Sequence, residues 1–207
     1  MAQFFAIHPE TPQPRLVHQA VGILREGGLI VYPTDSCYAL GCRIGDKPAM
    51  ERIRRIRQAD ANHNFTLVCR DLSEIATYAK VENTAFRWLK AHTPGPYTFL
   101  LPATREVPRR LQHPKRRTIG IRIPDHRIVQ ALLDELGEPL MSSTLLLPGD
   151  AEPMVDPELI RERLEHQVEL VIDGGNCGLE PTTIVDLTGP APEVLRQGRG
   201  DPSVFAV

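Results

Sequence analysis

The stretch LIVYPTDSCYALGC, residues 29–42, decides how this chain is read. Leu29, Ile30, Val31 and Tyr32 are a short apolar run, β-branched at its centre and preceded by Gly27 and Gly28. That is the pattern of a buried strand entered from a helix that has just ended. Pro33 stops the ladder because it has no N–H to donate. Thr34, Asp35 and Ser36 then set three short polar side chains at the carboxyl end of the strand. In an open α/β sheet that is where ligands bind, in the crevice beyond the strand ends. The competing reading is a turn whose side chains cap their own backbone. From these residues alone both readings stand. Cys37 lies in the same stretch, where a small core thiol is expected rather than a nucleophile.

Working outward, Arg15 to Glu26 reads as a helix, with Leu16, Val17, Ala20, Val21, Ile23 and Leu24 at helical spacing. Asp46-Lys47-Pro48 is a helix start, capped by Asp46, with Met50, Ile53 and Ile56 inward and arginines outward. Arg57 to Asn64 is a polar loop leading to a strand from Phe65 to Cys69. Asp71 and Asn83 open short helices, and Thr93-Pro94-Gly95-Pro96 breaks the chain before a strand from Tyr97 to Leu101. The strand Thr118 to Ile123 alternates with period two, which puts Thr118, Gly120 and Arg122 on one face. Asp125 is expected to cap the helix through Val129, Leu132, Leu133 and Leu136. Pro139 to Leu147 is strand-like, Asp156-Pro157-Glu158 begins a helix, and Val168 to Ile172 is a strand ended by Gly174-Gly175. Thr182 to Leu187 and Glu193 to Leu195 are the last strands. With no linker, composition shift or repeat, residues 1–207 read as a single α/β domain with a large, twisted mixed sheet flanked by helices.

The totals agree with a soluble protein. Of 207 residues, 42% are hydrophobic and 24% charged, so the core needs no staples. The apolar runs are too short to span a bilayer, and the N-terminus MAQFFAIHPE lacks the features of a secretion signal. The four cysteines show no C-x-x-C spacing, so no metal site is expected, and reduced thiols in the cytoplasm are the default. The net charge of −2 hides an asymmetry. Arg105, Arg109, Arg110, Lys115, Arg116, Arg117 and Arg122 crowd one segment that holds a single acid, Glu106. Arg52, Arg54, Arg55 and Arg57 form a second cluster. A local anionic partner such as nucleotide or RNA suits this pattern, against the plainer alternative of a solvated face paired with Glu158, Glu162 and Glu165.

Neither G-x-x-x-x-G-K-[ST] nor G-x-G-x-x-G is present, and H-E-x-x-H and G-x-S-x-G are missing too. What remains is a set of hydroxyls and guanidiniums at strand ends: Thr34, Thr118 with Arg122, Ser143 with Thr144, Thr182 with Thr183, and Arg196. Such groups suit carboxylate and phosphate.

In order along the chain, PTDSCYALG (33–41), TPGPYTFLL (93–101), TIGIRIPDH (118–126), GEPLMSST (137–144), PTTIVDLT (181–188) and VLRQG (194–198) resemble the YrdC-like family. RIRQ (55–58), NHNFTL (62–67) and SSTLLLPG (142–149) resemble its YciO branch most. The resemblance covers nearly the whole chain. It implies a twisted α/β sheet with a positively charged concave surface. The catalytic members are L-threonylcarbamoyladenylate synthases, nucleotidyltransferases that join threonine, bicarbonate and ATP and release pyrophosphate. Their product goes on to the threonylcarbamoyladenosine (t6A) modification of tRNA, and the fold is also credited with double-stranded RNA binding. Carried over by motif, Thr34, Arg122 and Thr182 would hold threonine, and Thr118, Thr144 and Arg196 would face ATP or AMP. Mg²⁺ would arrive with ATP rather than as a resident cofactor.

The departures weigh against full activity. The synthase pattern has K-x-R and S-x-N where this chain has Arg57, Ala59, Thr144 and Leu146. Arg57 and Thr144 keep charge and hydroxyl and are the expected catalytic pair, whereas Ala59 and Leu146 lose donors. Val68 replaces a usual histidine, and His63 and Asn64 are polar candidates to compensate. Two functions follow as alternatives: a synthase of weakened or altered activity, or a non-catalytic paralogue binding nucleotide and structured RNA or tRNA. For the second, Arg109, Arg110, Lys115, Arg116 and Arg117 are the expected RNA contacts, in a segment kept irregular by Pro108 and Pro114.

Overall fold

The computed structural model describes residues 1–59 and 63–206. Residues 60–62, within the loop expected between Arg57 and Asn64, lie outside the described residues. Ten strands form one mixed sheet in the order β1-β8-β2-β3-β7-β4-β6-β5-β9-β10. They are β1 (Gln3–Ala6), β2 (Ile30–Tyr32), β3 (Ala39–Arg43), β4 (Thr66–Val68), β5 (Tyr97–Pro102), β6 (Thr118–Arg122), β7 (Leu140–Thr144), β8 (Leu170–Asp173), β9 (Thr183–Asp186) and β10 (Glu193–Arg196). The helices are α1 (Pro14–Arg25), α2 (Lys47–Arg57), α3 (Leu72–Tyr78), α4 (Asn83–His92), α5 (Arg127–Leu136) and α6 (Pro157–Leu164).

Alternation along the strands sorts side chains onto two faces. On one face Val31, Leu40, Cys42, Leu67, Phe99, Ile121, Met141 and Val171 pack with Met50 and Ile53 of α2, Ile75 of α3, Leu89 of α4, and Ile160 and Leu164 of α6. On the other, Ile30, Tyr32, Ala39, Val68, Leu140, Leu170 and Ile172 meet Val17, Val21 and Leu24 of α1 and Ile128, Val129, Leu132 and Leu133 of α5. Each fully buried aliphatic side chain contributes about 1.5–3 kcal/mol, so the two layers fix the sheet from both sides. Further along this second face the residue types change. The register aligns Ser142 with Thr66, Thr66 with Gly120, Gly120 with Leu100, and Thr98 with Ile184. Polar and small residues there replace the aliphatic ones, and the face borders a cavity.

Two strands escape the sequence reading. Gln3–Ala6 is a half-exposed edge strand parallel to β8, too short to show alternation. Ala39–Arg43 runs back antiparallel to β2 just after the turn at 33–35, where no strand is expected. Gly41 lies under the Tyr32 ring, where an added Cβ would stand 2.7 Å from Tyr32 Cε1. The cap of α5 is a correction. His126 Nδ1, not Asp125, accepts the Ile128 N–H at 3.2 Å, because α5 begins at Arg127 and His126 is the residue at its N-cap; the Asp125 backbone N–H is bound to Asp35 Oδ2 at 2.8 Å. Asp46, Asp71 and Asp156 cap α2, α3 and α6 as read.

Candidate anion-binding cavity

The cavity, about 340 Å³, spreads over the second sheet face rather than occupying a crevice beyond β2. The reason is local: residues 33–38 turn back into β3, so the end of β2 is filled by its own turn. Thr34 makes that turn. Its Oγ1 accepts from Ser36 N at 3.1 Å and Cys37 N at 3.2 Å and donates to Cys37 O at 2.7 Å. Thr34 still lines the cavity, but its hydroxyl is committed to the backbone.

Arg122, on β6, is 6% exposed. Its Nη1 donates to Ser36 Oγ at 3.0 Å and its Nη2 to Asp35 Oδ1, while Nε is buried without a hydrogen-bond partner. The guanidinium faces the cavity already neutralised. Thr182 is equally engaged. Its Oγ1 shares a proton with Thr98 Oγ1 at 2.7 Å, and its carbonyl accepts from Arg196 Nη2 at 2.8 Å and Nε at 3.2 Å. Arg196 as a whole is exposed, yet its head is turned in on Thr182, and partial burial lowers its pKa.

At the end of α2, Arg57 reaches into the cavity from the other side. Its Nη1 donates to Ser143 Oγ at 2.6 Å and to His63 Nε2 at 3.1 Å, and its Nε to the Leu146 carbonyl at 3.3 Å. Burial lowers its pKa as well. Among the described residues no carboxylate lies within 4.0 Å of the Arg57 or Arg196 nitrogens. Tyr32 OH and Ser142 Oγ, 2.6 Å apart, add two hydroxyls to the wall, and burial pushes the Tyr32 phenol up to about 12, so it stays protonated. Gly120 keeps the floor low: an added Cβ would approach Thr98 Cγ2 to 3.2 Å.

Thr34, Arg57, Thr118, Arg122, Thr144, Thr182 and Arg196, chosen from the sequence, all line this one cavity. So do His63 and Asn64. Val68 lines it too, whereas Ala59 and Leu146 do not. Tyr32, Thr98, His113 and Ser142 were missed. Cross-strand register, which no local pattern announces, brings Ser142 and Thr98 to the wall. Outside, a cleft of about 1070 Å³ is lined by Lys80, Arg105, Arg109, His113, Arg116 and Arg117, with Glu106 as its acid. His113 and Arg116 line both spaces. Arg110 and Lys115 are exposed beside the cleft without lining it. No ion pair ties down the basic residues of 105–117 among the described residues. Glu158, Glu162 and Glu165 instead gather around Phe4 and Arg161. No group of three metal-binding side chains occurs among the described residues, and none of the described helices is long and apolar enough to cross a membrane.

The chain is an α/β domain whose open mixed sheet carries a cationic, hydroxyl-lined cavity on one face. The family model Sua5/YciO/YrdC, described as telomere recombination, matches residues 22–198, and the chain belongs to that family. The chain is 60% identical over 205 residues to the uncharacterized protein YciO of Escherichia coli (strain K12), covering 99% of this chain and 100% of that one. The crystal structure of E. coli YciO superposes with a TM-score of 0.95 over the full length of both chains. A threonylcarbamoyl-AMP synthase of Chromobacterium violaceum is 33% identical over 180 residues, 86% of this chain and 92% of the synthase. P. abyssi Sua5 complexed with L-threonine gives a TM-score of 0.86 at 27% identity, over 94% of this chain and 57% of Sua5. The relation to threonylcarbamoyl-AMP synthases is therefore established at the level of family and fold.

Proposed function

We propose that the cavity binds ATP or AMP through its phosphates together with threonine, and that the protein is a threonylcarbamoyl-AMP synthase-like enzyme of weakened or altered catalysis. The observation that carries this reading is the pair Arg57 and Arg196, two guanidiniums in one cavity, hydrogen-bonded to uncharged groups, with no carboxylate within 4.0 Å among the described residues. A polyphosphate supplies the missing negative charge, and arginine meets phosphate in a bidentate, charge-assisted geometry. Mg²⁺ comes with the nucleotide, since Mg²⁺ is commonly held by substrate phosphates rather than by a protein cage. The complex of P. abyssi Sua5 with L-threonine supports the amino-acid half of the reading.

In the synthase reaction threonine, bicarbonate and ATP give threonylcarbamoyl-AMP and pyrophosphate, and the adenylate serves tRNA threonylcarbamoyladenosine formation. Arg57 and Arg196 would stabilise charge that develops on the phosphates, and Thr118 and Thr144 would donate to them. Ala59 and Leu146 offer no such donors. One lost donor aimed at developing charge costs about 2.7–4 kcal/mol, roughly 100- to 1,000-fold in rate. A threonine-, bicarbonate- and ATP-dependent pyrophosphate assay with mass detection of the adenylate tests the reading. Slow release with the adenylate mass is the expected result.

The basic outer cleft favours a second reading, a non-catalytic paralogue that binds nucleotide and structured RNA or tRNA. Nucleotide binding without any adenylate product would decide for it.

A further inference from the structure

We infer that His63 is the positioning residue that holds Arg57 toward an anion in the cavity. This rests on the reading of the cavity as an anion site. Arg57 Nη1, Ser143 Oγ and His63 Nε2 close a triangle with sides of 2.6, 3.0 and 3.1 Å. A guanidinium only donates, so His63 Nε2 accepts, and the imidazole is neutral with its proton on Nδ1. Ser143 Oγ accepts from Arg57 and lies 3.0 Å from the same Nε2. The ring is itself oriented: it stands edge-on to Phe65, 5.3 Å between centroids at 87°, and Phe65 is covered on its face by the Arg54 guanidinium at 5.3 Å. Among the described residues the bonds to Arg57 use Nε and Nη1. Nη2 is the group left for a ligand, and the position of its plane is set by His63, Ser143 and the Leu146 carbonyl.

Calorimetry with AMP at about pH 8, where a free imidazole is neutral, tests the inference. His63→Ala is expected to weaken AMP binding about ten-fold or more, the effect of losing a hydrogen bond to a charged group. His63→Gln, which restores an acceptor, should recover most of that loss. If His63→Ala keeps wild-type affinity while Arg57→Ala loses binding, the inference is overturned and the anion site stands. If neither Arg57→Ala nor Arg196→Ala changes binding, the anion site falls, and the inference with it.

Discussion

The guanidinium of Arg122 on β6 is paired with the carboxylate of Asp35, 87 residues earlier, and the same carboxylate holds the backbone N–H of Asp125. One acidic side chain thus ties the turn after β2 to the end of β6 and to the chain leading into α5. Both partners are nine-tenths covered, with side-chain exposures of 8% and 11%. Any substrate carboxylate that approaches Arg122 meets an already compensated cation whose Nε alone lacks a partner.

Removing the acid therefore leaves a buried charge. Asp35→Ala is expected to destabilise the fold by about 3–5 kcal/mol, the usual consequence of breaking a buried pair from one side. Urea unfolding at neutral pH measures this directly. A loss below about 1 kcal/mol would show the pair to be screened.

His126 gives a pH-dependent stability. Burial lowers its pKa below the ordinary 6.5, against the opposing pull of Asp35, Glu10 and Asp125. The folded state therefore prefers the neutral ring, whose Nδ1 caps α5. A depressed folded pKa means the contribution is complete above about pH 6.5 and is lost as the pH falls through the folded value. His126→Asn keeps a capping acceptor without the titration. Unfolding at about pH 7.5 and pH 5.5 should show wild type losing more stability than the variant. Equal losses would contradict the assignment.

The basic segment from Arg105 to Arg117 carries the RNA reading. Its side chains are exposed and free of ion pairs among the described residues. If six such charges meet phosphates, duplex RNA or tRNA affinity falls roughly 10³-fold between about 50 and 200 mM salt. The triple change Arg109→Glu, Arg110→Glu and Arg116→Glu should weaken binding and flatten that dependence. Affinity indifferent to salt and to charge reversal excludes this surface.

Local signals made much of the fold legible. A β-branched run before a proline marks β2, and aspartate caps mark α2, α3 and α6. Hydroxyls and arginines at strand ends marked cavity residues, and alternation placed Thr118 and Arg122 on one face. Non-local pairings were not legible. Nothing around Asp35 announces Arg122, and the turn chemistry of Thr34 conceals the strand that follows it. His113 enters the cavity through the fold of an irregular segment, where its Nδ1 accepts from Lys115 N and Arg116 N at 3.3 and 3.1 Å. His126 rather than Asp125 is the cap because α5 starts one residue later than the aspartate signal suggests.

The most direct test of the anion-binding cavity is calorimetry with ATP and AMP on wild type, Arg57→Ala and Arg196→Ala. Saturable binding is predicted for wild type. Each arginine variant should weaken it about 10- to 100-fold, as expected for a lost hydrogen bond to a charged group. Absence of saturable heat at millimolar nucleotide, or affinities that ignore both substitutions, would contradict the account.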